Sequence, residues 1–301
     1  MEPLIITSPF STRHDTSHGH PECADRIKAL GPLFDKYECI SGPAAEVETI
    51  ALAHEEDYIF ELMEKTPDHG YAAIDGDTVL CPDSYDAACH AVGAACLGVD
   101  KLMSGDNKSV FCATRPPGHH AEPAQAMGFC FFNNIFIAAR YAQEKYGVKK
   151  IAIVDFDVHH GNGTEVMSQS HNLIQTERPI LYISSHSHPL FPMTGNPADN
   201  SDTLLNVTFA EGTNSDTFRK GYTDQVFPKL KDFEPELLMI SAGFDAHQND
   251  PVGNLNLKTE DFEWVTQELC NAVSCPILSI LEGGYDIDTL KKCVEVHLNS
   301  L

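Results

Sequence analysis

Carboxylates and imidazoles alternate in one short stretch near the middle of the chain, directly after an apolar run that begins at Ile151. Asp155, Asp157 and His159 are spaced two apart, and residues two apart face the same side of an extended strand. An Asp and a His side by side suit a divalent metal such as zinc. Solvated polar residues at a strand end would account for only one or two of these groups, so a metal site is the favoured interpretation. The neighbouring His160 faces the other side and is expected to be structural.

Three other segments carry groups that could act on the same substrate. His119 and His120 form an adjacent pair suited to acid–base catalysis, because imidazole has an unperturbed pKa near ~6.5. Asp245 would supply a third metal ligand, and three protein ligands leave one position open for water or substrate. Tyr285, on a Gly-Gly turn, can donate its hydroxyl to a developing oxyanion. Together these groups indicate metal-assisted hydrolysis of an unactivated carbonyl, most simply an amide.

Most of these residues also have a simpler structural explanation when each is taken alone. The histidine pair could fill a rigid turn after Pro-Pro-Gly, Asp245 could cap a turn, and Tyr285 could pack as a core aromatic. Asp155 and Asn162 are natural partners to orient the histidines. Cys130 lies near the predicted site, but nothing local indicates a lowered thiol pKa, so it is expected to pack as a small apolar residue.

Strands and helices alternate along the chain, which predicts an α/β fold with a mostly parallel central sheet and helices on both faces. We expect strands at about 4–7, 110–114, 151–155, 180–184, 204–209, 236–241 and 276–281. We expect helices at about 24–35, 55–65, 84–103, 134–147, from 163, 213–230, 259–272 and 288–299. Ligands bind such sheets beyond the carboxyl ends of the strands, and the candidate groups each follow an apolar strand. No composition break or internal repeat divides the chain, so residues 1–301 are predicted to form one domain.

Composition restricts the classes of partner. The chain has 301 residues and a formal net charge of -24, which argues against nucleic-acid binding through a basic surface. An acidic surface would steer a basic peptide, lysine or polyamine substrate, although it would equally serve solubility or adaptation to salt. The ten cysteines form no CxxC pair, so free thiols in a reducing cytoplasm are expected. We expect no signal peptide and no membrane span, and a homo-oligomer stays open.

Several segments resemble the signature blocks of the zinc-dependent histone deacetylase family, which includes acetylpolyamine amidohydrolases and has the arginase/deacetylase fold. The RPPGHH and AGFDAH forms are similar to the class II branch and its bacterial relatives. The resemblance extends from about residue 5 to about residue 298, and the blocks occur in the family's order. They are HPECADR at 20–26, RPPGHH at 115–120, GFCFFNN at 128–134, DFDVHHGNGT at 155–164, AGFDAH at 242–247 and LEGGYD at 281–286.

The resemblance implies a role for each matching site residue. His120 would be the main general base and acid, and His119 its electrostatic partner, held by Asp155. Asn162 stands where the family has an Asp or Asn bonded to the second histidine. Tyr285 matches the catalytic tyrosine, which implies activity on acetyl groups because class IIa relatives with His there deacetylate weakly. The zinc ligands would be Asp157, His159 and Asp245.

The resemblance also implies an acyl-lysine channel and a second cation site. The channel would be lined by Gly128, Phe129, Phe191 and Val252. A structural potassium ion would lie near Asp155 and Ser184, with groups of Asp157 and His159.

Two departures from the family pattern bear on the substrate. Leu80 stands before Cys81-Pro82, where the family commonly has an acidic residue that anchors substrate. Val252 stands where many relatives have Leu, and the glutamate of polyamine-selective members is missing there. The leading hypothesis is a zinc amidohydrolase that removes acetyl or related acyl groups from lysine-type amines, in a peptide or a small molecule.

Three alternatives stay open. An acetylpolyamine or other small-amide deacetylase would share the fold. A non-catalytic acyl-lysine binding protein would bind acylated amines without turnover. An arginase-like manganese hydrolase is disfavoured, because the central stretch offers imidazole rather than the extra carboxylates of a two-metal site.

Overall fold

The computed structural model describes residues 2–301, and strands and helices alternate along most of the chain. The strands are β1 (Leu4–Thr7), β2 (Cys39–Ser41), β3 (Ala72–Ala73), β4 (Val79–Leu80), β5 (Ser109–Ala113), β6 (Ile151–Asp155), β7 (Ile180–Ser187), β8 (Leu204–Phe209), β9 (Leu237–Ala242) and β10 (Ile277–Leu281). The helices are α1 (Asp25–Phe34), α2 (Val47–Ile50), α3 (Glu56–Lys65), α4 (Ser84–Met103), α5 (Asn134–Tyr146), α6 (Asn162–Ile174), α7 (Ser215–Gly221), α8 (Phe227–Phe233), α9 (Thr259–Ala272) and α10 (Ile287–Ser300).

Eight strands form one sheet in the order β2-β1-β5-β10-β9-β6-β7-β8, and all neighbouring pairs are parallel. A sheet of this kind is covered on both faces, which explains why its strands read as continuous apolar runs. Along β6, Ala152 and Val154 enter one hydrophobic cluster, while Ile151 and Ile153 enter another. The predicted α/β class with helices on both faces is therefore confirmed.

One local prediction was wrong, and one edge strand of the main sheet was not predicted. The segment predicted as one helix over 213–230 consists of α7, a π-helical turn at Tyr222–Val226 and α8. The wider turn immediately precedes the start of α8, where Pro228 has no backbone N–H to offer an α-helical bond. The edge strand β2 was not predicted, because its three residues are mostly exposed and lack the apolar signal of a central strand.

Two further observations concern the cysteines and the length and polarity of the helices. The ten cysteines are free thiols among residues 2–301. None of the helices that these residues form has both the length and the apolar character needed to cross a membrane.

A buried ion cluster ties the segment before α1 to the carboxyl ends of β5 and β10. Arg26 Nη1 donates to Glu22 Oε1 at 2.9 Å, and Arg115 Nη2 donates to Glu22 Oε2 at 2.6 Å. Arg26 Nε also donates to the carbonyl oxygen of Gly284 at 2.7 Å. Burial raises the pKa of Glu22, but attraction to Arg115 and Arg26 outweighs burial and lowers that pKa from 4.5 to about 2.

We predict that Glu22→Gln lowers the free energy of unfolding at pH 7 by about 3–5 kcal/mol, because it leaves two buried guanidinium groups without their carboxylate. The lowered pKa means that Glu22 contributes stability above its ordinary value of 4.5 and loses that contribution as the pH falls towards about 2. Urea unfolding of the wild type and of Glu22→Gln across this pH range should therefore show a large difference in free energy of unfolding at pH 7, and this difference should become smaller in acid. Glu64→Gln, at an exposed position of α3, is the control. A gap that does not change with pH would contradict this account.

Candidate active site

The loops that follow five neighbouring strands meet at one edge of the sheet. The strands β5, β10, β9, β6 and β7 are adjacent in this order, and their registers align Asp155 with Ser241 and Ser184. Because parallel strands all end at the same edge, the segments after them are brought close together. This is why residues between about 115 and 285 can form one site.

The predicted row of Asp155, Asp157 and His159 does not lie along an extended strand, because β6 ends at Asp155. The chain turns there instead. The N–H of Asp157 donates to Asp155 Oδ1 at 3.1 Å, and the N–H of His159 donates to Asp157 Oδ1 at 2.9 Å. His160 points away and contacts Thr194 and Glu165, consistent with a structural role.

The side chains of Asp157, His159 and Asp245 nevertheless converge. His159 Nδ1 lies 3.1 Å from Asp157 Oδ1 and 3.1 Å from Asp245 Oδ2. All three residues are buried, and one potential ligand atom from each lies within 4.8 Å of the others. One imidazole nitrogen and two carboxylates are a donor set that zinc accepts. These residues therefore fit a metal ion.

The charges at this point also favour a cation. Burial and the nearby Asp157 raise the pKa of Asp245 to about 7. Burial opposes protonation of His159, but its bonds to Asp157 and Asp245 outweigh burial and raise its pKa to about 10. Positive charge is thus drawn to the point where the three side chains meet, and a divalent cation would satisfy both carboxylates at once.

Two glycines allow the carboxylates to come this close. A Cβ atom on Gly243 would lie 2.1 Å from Asp157 Oδ2, and a Cβ atom on Gly283 would lie 2.2 Å from Asp245 Oδ2. The N–H of Gly283 also donates to Asp157 Oδ2 at 2.8 Å. The glycines after β9 and β10 are therefore part of the wall that holds the two carboxylates.

The adjacent histidines have different partners and opposite charge preferences. His119 Nδ1 lies 3.0 Å from Asp155 Oδ2, and His120 Nδ1 lies 2.9 Å from Asn162 Oδ1. Burial opposes protonation of His119, but Asp155 and other acidic groups raise its pKa to about 10. Burial lowers the pKa of His120 well below 6.5, and the positive neighbours His119 and His159 add to this effect. The pair therefore combines a charged imidazole with a neutral one.

Glu282 holds the turn that carries the histidine pair. Its Oε2 accepts from the N–H groups of Gly118 at 2.8 Å and His119 at 3.3 Å, and its Oε1 accepts from Ser241 Oγ at 3.1 Å. Glu282, His119 and Cys130 also lie close enough for a second metal cluster, but three donors already occupy this carboxylate. Burial raises the pKa of the Cys130 thiol well above its usual value, which agrees with a packing role.

A narrow pocket of about 150 Å³ leads to these groups. The four predicted substrate contacts, Gly128, Phe129, Phe191 and Val252, all line this pocket. The other lining residues are Asp77, His120, His159 and Tyr285. The ring centroid of Phe191 lies 5.2 Å from that of His120, and the ring of Phe129 lies 5.8 Å from that of Tyr285. The backbone of Gly128 has φ +54, and a Cβ atom there would lie 2.5 Å from His120 Cδ2. A glycine at this position therefore keeps the pocket open beside His120.

Tyr285 is held by groups that the sequence did not reveal. Its N–H donates to Asp250 Oδ2 at 2.7 Å, and Asp250 Oδ1 accepts from the N–H of Val252 at 2.9 Å. The guanidinium carbon of Arg26 lies 4.9 Å from the centroid of the Tyr285 ring. Burial raises the pKa of the Tyr285 hydroxyl well above 10, so the phenol keeps its proton and can donate it.

Asp77 is a further pocket residue that the sequence reasoning missed. Leu80 is buried in β4, whereas Asp77 lines the pocket three positions earlier. The missed signal is the Asp-Gly pair at 75–76, which is typical of a hairpin turn and places Asp77 on the turn between β3 and β4. An acidic group is therefore present in this pocket although position 80 carries none.

Comparisons with known proteins agree with the geometry. The Histone deacetylase domain family model matches residues 20–301. Histone deacetylase 14, chloroplastic, of Arabidopsis thaliana is 34% identical and is matched over 99% of this chain and 76% of its own length. The histone deacetylase-like amidohydrolase of Pseudomonas aeruginosa is 31% identical, over 93% of this chain and 74% of its own. The crystal structure of the HDA15 HD domain superposes with a TM-score of 0.91 at 28% identity, over 99% of this chain and 87% of that one.

We predict that Gly283→Ala weakens metal binding at the three side chains, because the added methyl group would occupy the space of the Asp245 and Asp157 carboxylates. Titration of the purified protein with a divalent metal ion should show an affinity about 10- to 100-fold lower than that of the wild type, the usual loss when groups supporting a metal site are disturbed. Gly76→Ala is the matched control, since a Cβ atom there meets nothing within 4 Å. Wild-type metal affinity in a folded Gly283→Ala protein would show that these carboxylate positions do not form the metal site.

Proposed function

This chain belongs to the histone deacetylase domain family, and we propose that it is a zinc-dependent amidohydrolase that removes acetyl or related acyl groups from lysine-type amines. The observation that carries the proposal is the convergence of Asp157, His159 and Asp245, with His159 lining a narrow pocket together with His120 and Tyr285. We also propose that residues 1–301 act as one catalytic domain. A potassium site is a further prediction, supported by Asp155 and Ser184 being buried neighbours on β6 and β7.

Asp157, His159 and Asp245 would hold the zinc ion. When bound there, zinc would supply Lewis acidity towards the substrate carbonyl and would lower the pKa of a water molecule towards ~7. The three side chains would contribute two negative charges and one neutral ligand, and a set of three protein ligands leaves one coordination position for water or substrate.

His120 would move the proton. Its Nδ1 is engaged by Asn162, so Nε2 is the free nitrogen on the pocket side, and its lowered pKa keeps the ring neutral and able to accept. It would take a proton from the attacking water and return it to the departing amine. His119, held by Asp155, would place a positive charge beside this step and stabilise the negative charge that forms on the substrate.

Tyr285 would stabilise the developing oxyanion. Its hydroxyl remains protonated because burial raises its pKa, and its backbone is fixed by Asp250. A donor that is already in place when charge develops does not have to reorganise, which is where such groups lower the barrier most.

The pocket lining supports a long, thin substrate with a polar outer end. Phe129 and Phe191 provide apolar walls for an aliphatic chain, and Gly128 adds no bulk beside them. Asp77 can accept a hydrogen bond from a peptide N–H or from a second amine. A formal net charge of -24 would attract cationic substrates of either kind. An acetylpolyamine is therefore the second candidate substrate, and the Asp77 carboxylate is the observation that favours it.

We predict that Tyr285→Phe lowers kcat for acetyl-lysine peptide hydrolysis about 100- to 1,000-fold, the usual effect of removing one oxyanion donor. Zinc content should stay unchanged, because Tyr285 is not one of the three ligands. Asp245→Ala should lose both zinc and activity. Full activity in either variant would refute the mechanism. Absence of hydrolysis by the wild type, despite tight binding of an acyl-lysine peptide, would instead indicate a non-catalytic binding protein.

We predict that the wild type hydrolyses an acetyl-lysine peptide with a higher kcat/KM than acetylputrescine, since Val252 offers no charge to a distant ammonium group. Asp77→Asn should raise KM for the peptide less than about tenfold, because an amide oxygen can still accept from a backbone N–H. The same variant should show a larger rise in KM for a cationic amine substrate than for the peptide, because the Asp77 carboxylate would balance the charge of that amine. A higher kcat/KM for acetylputrescine in the wild type would instead indicate that an acetylpolyamine is the substrate.

A further inference from the structure

The amide of Asn162 lies between His120 and a carboxylate that the mechanism above does not use. Asn162 Oδ1 lies 2.9 Å from His120 Nδ1, and Asn162 Nδ2 donates to Glu122 Oε1 at 2.7 Å. Two weaker acceptors also face Nδ2 at 3.3 Å, the carbonyl oxygen of His120 and the Sδ atom of Met127. All three neighbours of the amide nitrogen accept hydrogen bonds, and this turns the amide oxygen towards His120.

The orientation of this amide matters because its two ends are not equivalent. With Oδ1 towards His120, the imidazole must donate from Nδ1, and Nε2 keeps the lone pair that can accept a proton. With the amide reversed, Nδ2 would face Nδ1, so His120 would carry its proton on Nε2 and could not act as a base there. An aspartate at position 162 would need no such control, because both of its oxygens accept.

We propose that Glu122 is a positioning residue that fixes the amide of Asn162 and, through it, the tautomer of His120. This inference rests on the proposed function, in which His120 takes the proton. A hydrogen bond to a carboxylate is about twice as strong as a neutral one, so Glu122 is the dominant acceptor of the three. Reversing the amide would also bring Asn162 Oδ1 against the Glu122 carboxylate, which has no proton to share.

The fold holds Glu122 in place for this contact. Glu122 and Gln125 exchange two backbone hydrogen bonds, at 2.9 and 3.3 Å, which closes a tight turn. The turn lies against the start of α6, where a Cβ atom on Gly163 would come within 2.1 Å of the carbonyl oxygen of Ala121. The amino end of a helix favours a negative charge, so the carboxylate is well placed beside the first residue of α6.

The first test removes the acceptor. Glu122→Leu should lower kcat for acetyl-lysine peptide hydrolysis by about 10- to 100-fold, the usual range for a residue that orients a functional side chain, with KM nearly unchanged. Glu122→Gln, which keeps an acceptor but loses the charge, should lower kcat less. Glu64→Gln is the control, since it removes one surface carboxylate from an exposed position on α3. Wild-type kcat in Glu122→Leu would overturn the proposal.

The second test exchanges the partners. Asn162→Asp places a carboxylate oxygen where Nδ2 stands, 2.7 Å from Glu122 Oε1, and the two negative groups should repel and lower kcat. Adding Glu122→Gln gives that oxygen an amide donor. The double variant should therefore be about tenfold more active than Asn162→Asp alone, the effect of restoring one hydrogen bond to a charged group. A general structural role for Glu122 predicts the opposite, a double variant no better than the worse single one.

The third test reads the tautomer itself and does not need turnover. Nitrogen-15 NMR of histidine-labelled protein, with His120 assigned by difference against His120→Ala, should find the proton on Nδ1 in the wild type. In folded Glu122→Leu the Nε2-protonated form should appear. An unchanged tautomer would overturn the inference even if the enzyme is a deacetylase. A wild type that hydrolyses no acylated amine would refute the proposed function and leave this measurement valid.

Discussion

Two buried carboxylates that meet at one imidazole are the constraint on which the rest of the site depends. Asp157 and Asp245 are almost completely inaccessible to solvent, and both reach His159 Nδ1. Like charges in a protein interior repel strongly unless positive charge lies between them. The pKa values of His159 and Asp245 are raised, because a proton on either side chain reduces the repulsion between the two carboxylates. A divalent cation bound between the carboxylates would balance their charge more completely.

The surrounding structure holds the carboxylates of Asp157 and Asp245 in place. The parallel sheet delivers them from the ends of β6 and β9, and the glycines after β9 and β10 allow them to approach. Farther out, other carboxylates anchor backbone rather than substrate. Glu282 holds the histidine turn, and Asp250 holds the backbone of Tyr285. The acidic groups at this edge of the sheet thus divide into those that would bind a cation and those that position the chain around it.

Much of this arrangement could be predicted from the order of residues. Apolar runs followed by histidines, aspartates or a tyrosine predict both a parallel sheet and one shared edge, and the seven predicted strands agree with β1 and β5 to β10 within a few residues. The local geometry of Asp157 and His159 could not be predicted, because the side-chain alternation of a strand ends where the strand ends, at Asp155. Asp250 and Glu122 could not be predicted for a different reason. Each acts through a contact made by folding, Asp250 with the backbone of Tyr285 and Glu122 with the side chain of Asn162, and such contacts have no characteristic spacing in sequence.

The proposed mechanism requires that Asp157, His159 and Asp245 bind a zinc ion. Anomalous diffraction at the zinc edge, from crystals of protein whose deacetylase activity has been measured, tests it most directly. We expect one strong peak among the three side chains, about 2.0–2.2 Å from the nitrogen and oxygen ligands. An active protein with no peak there, or with its zinc bound elsewhere, would contradict it.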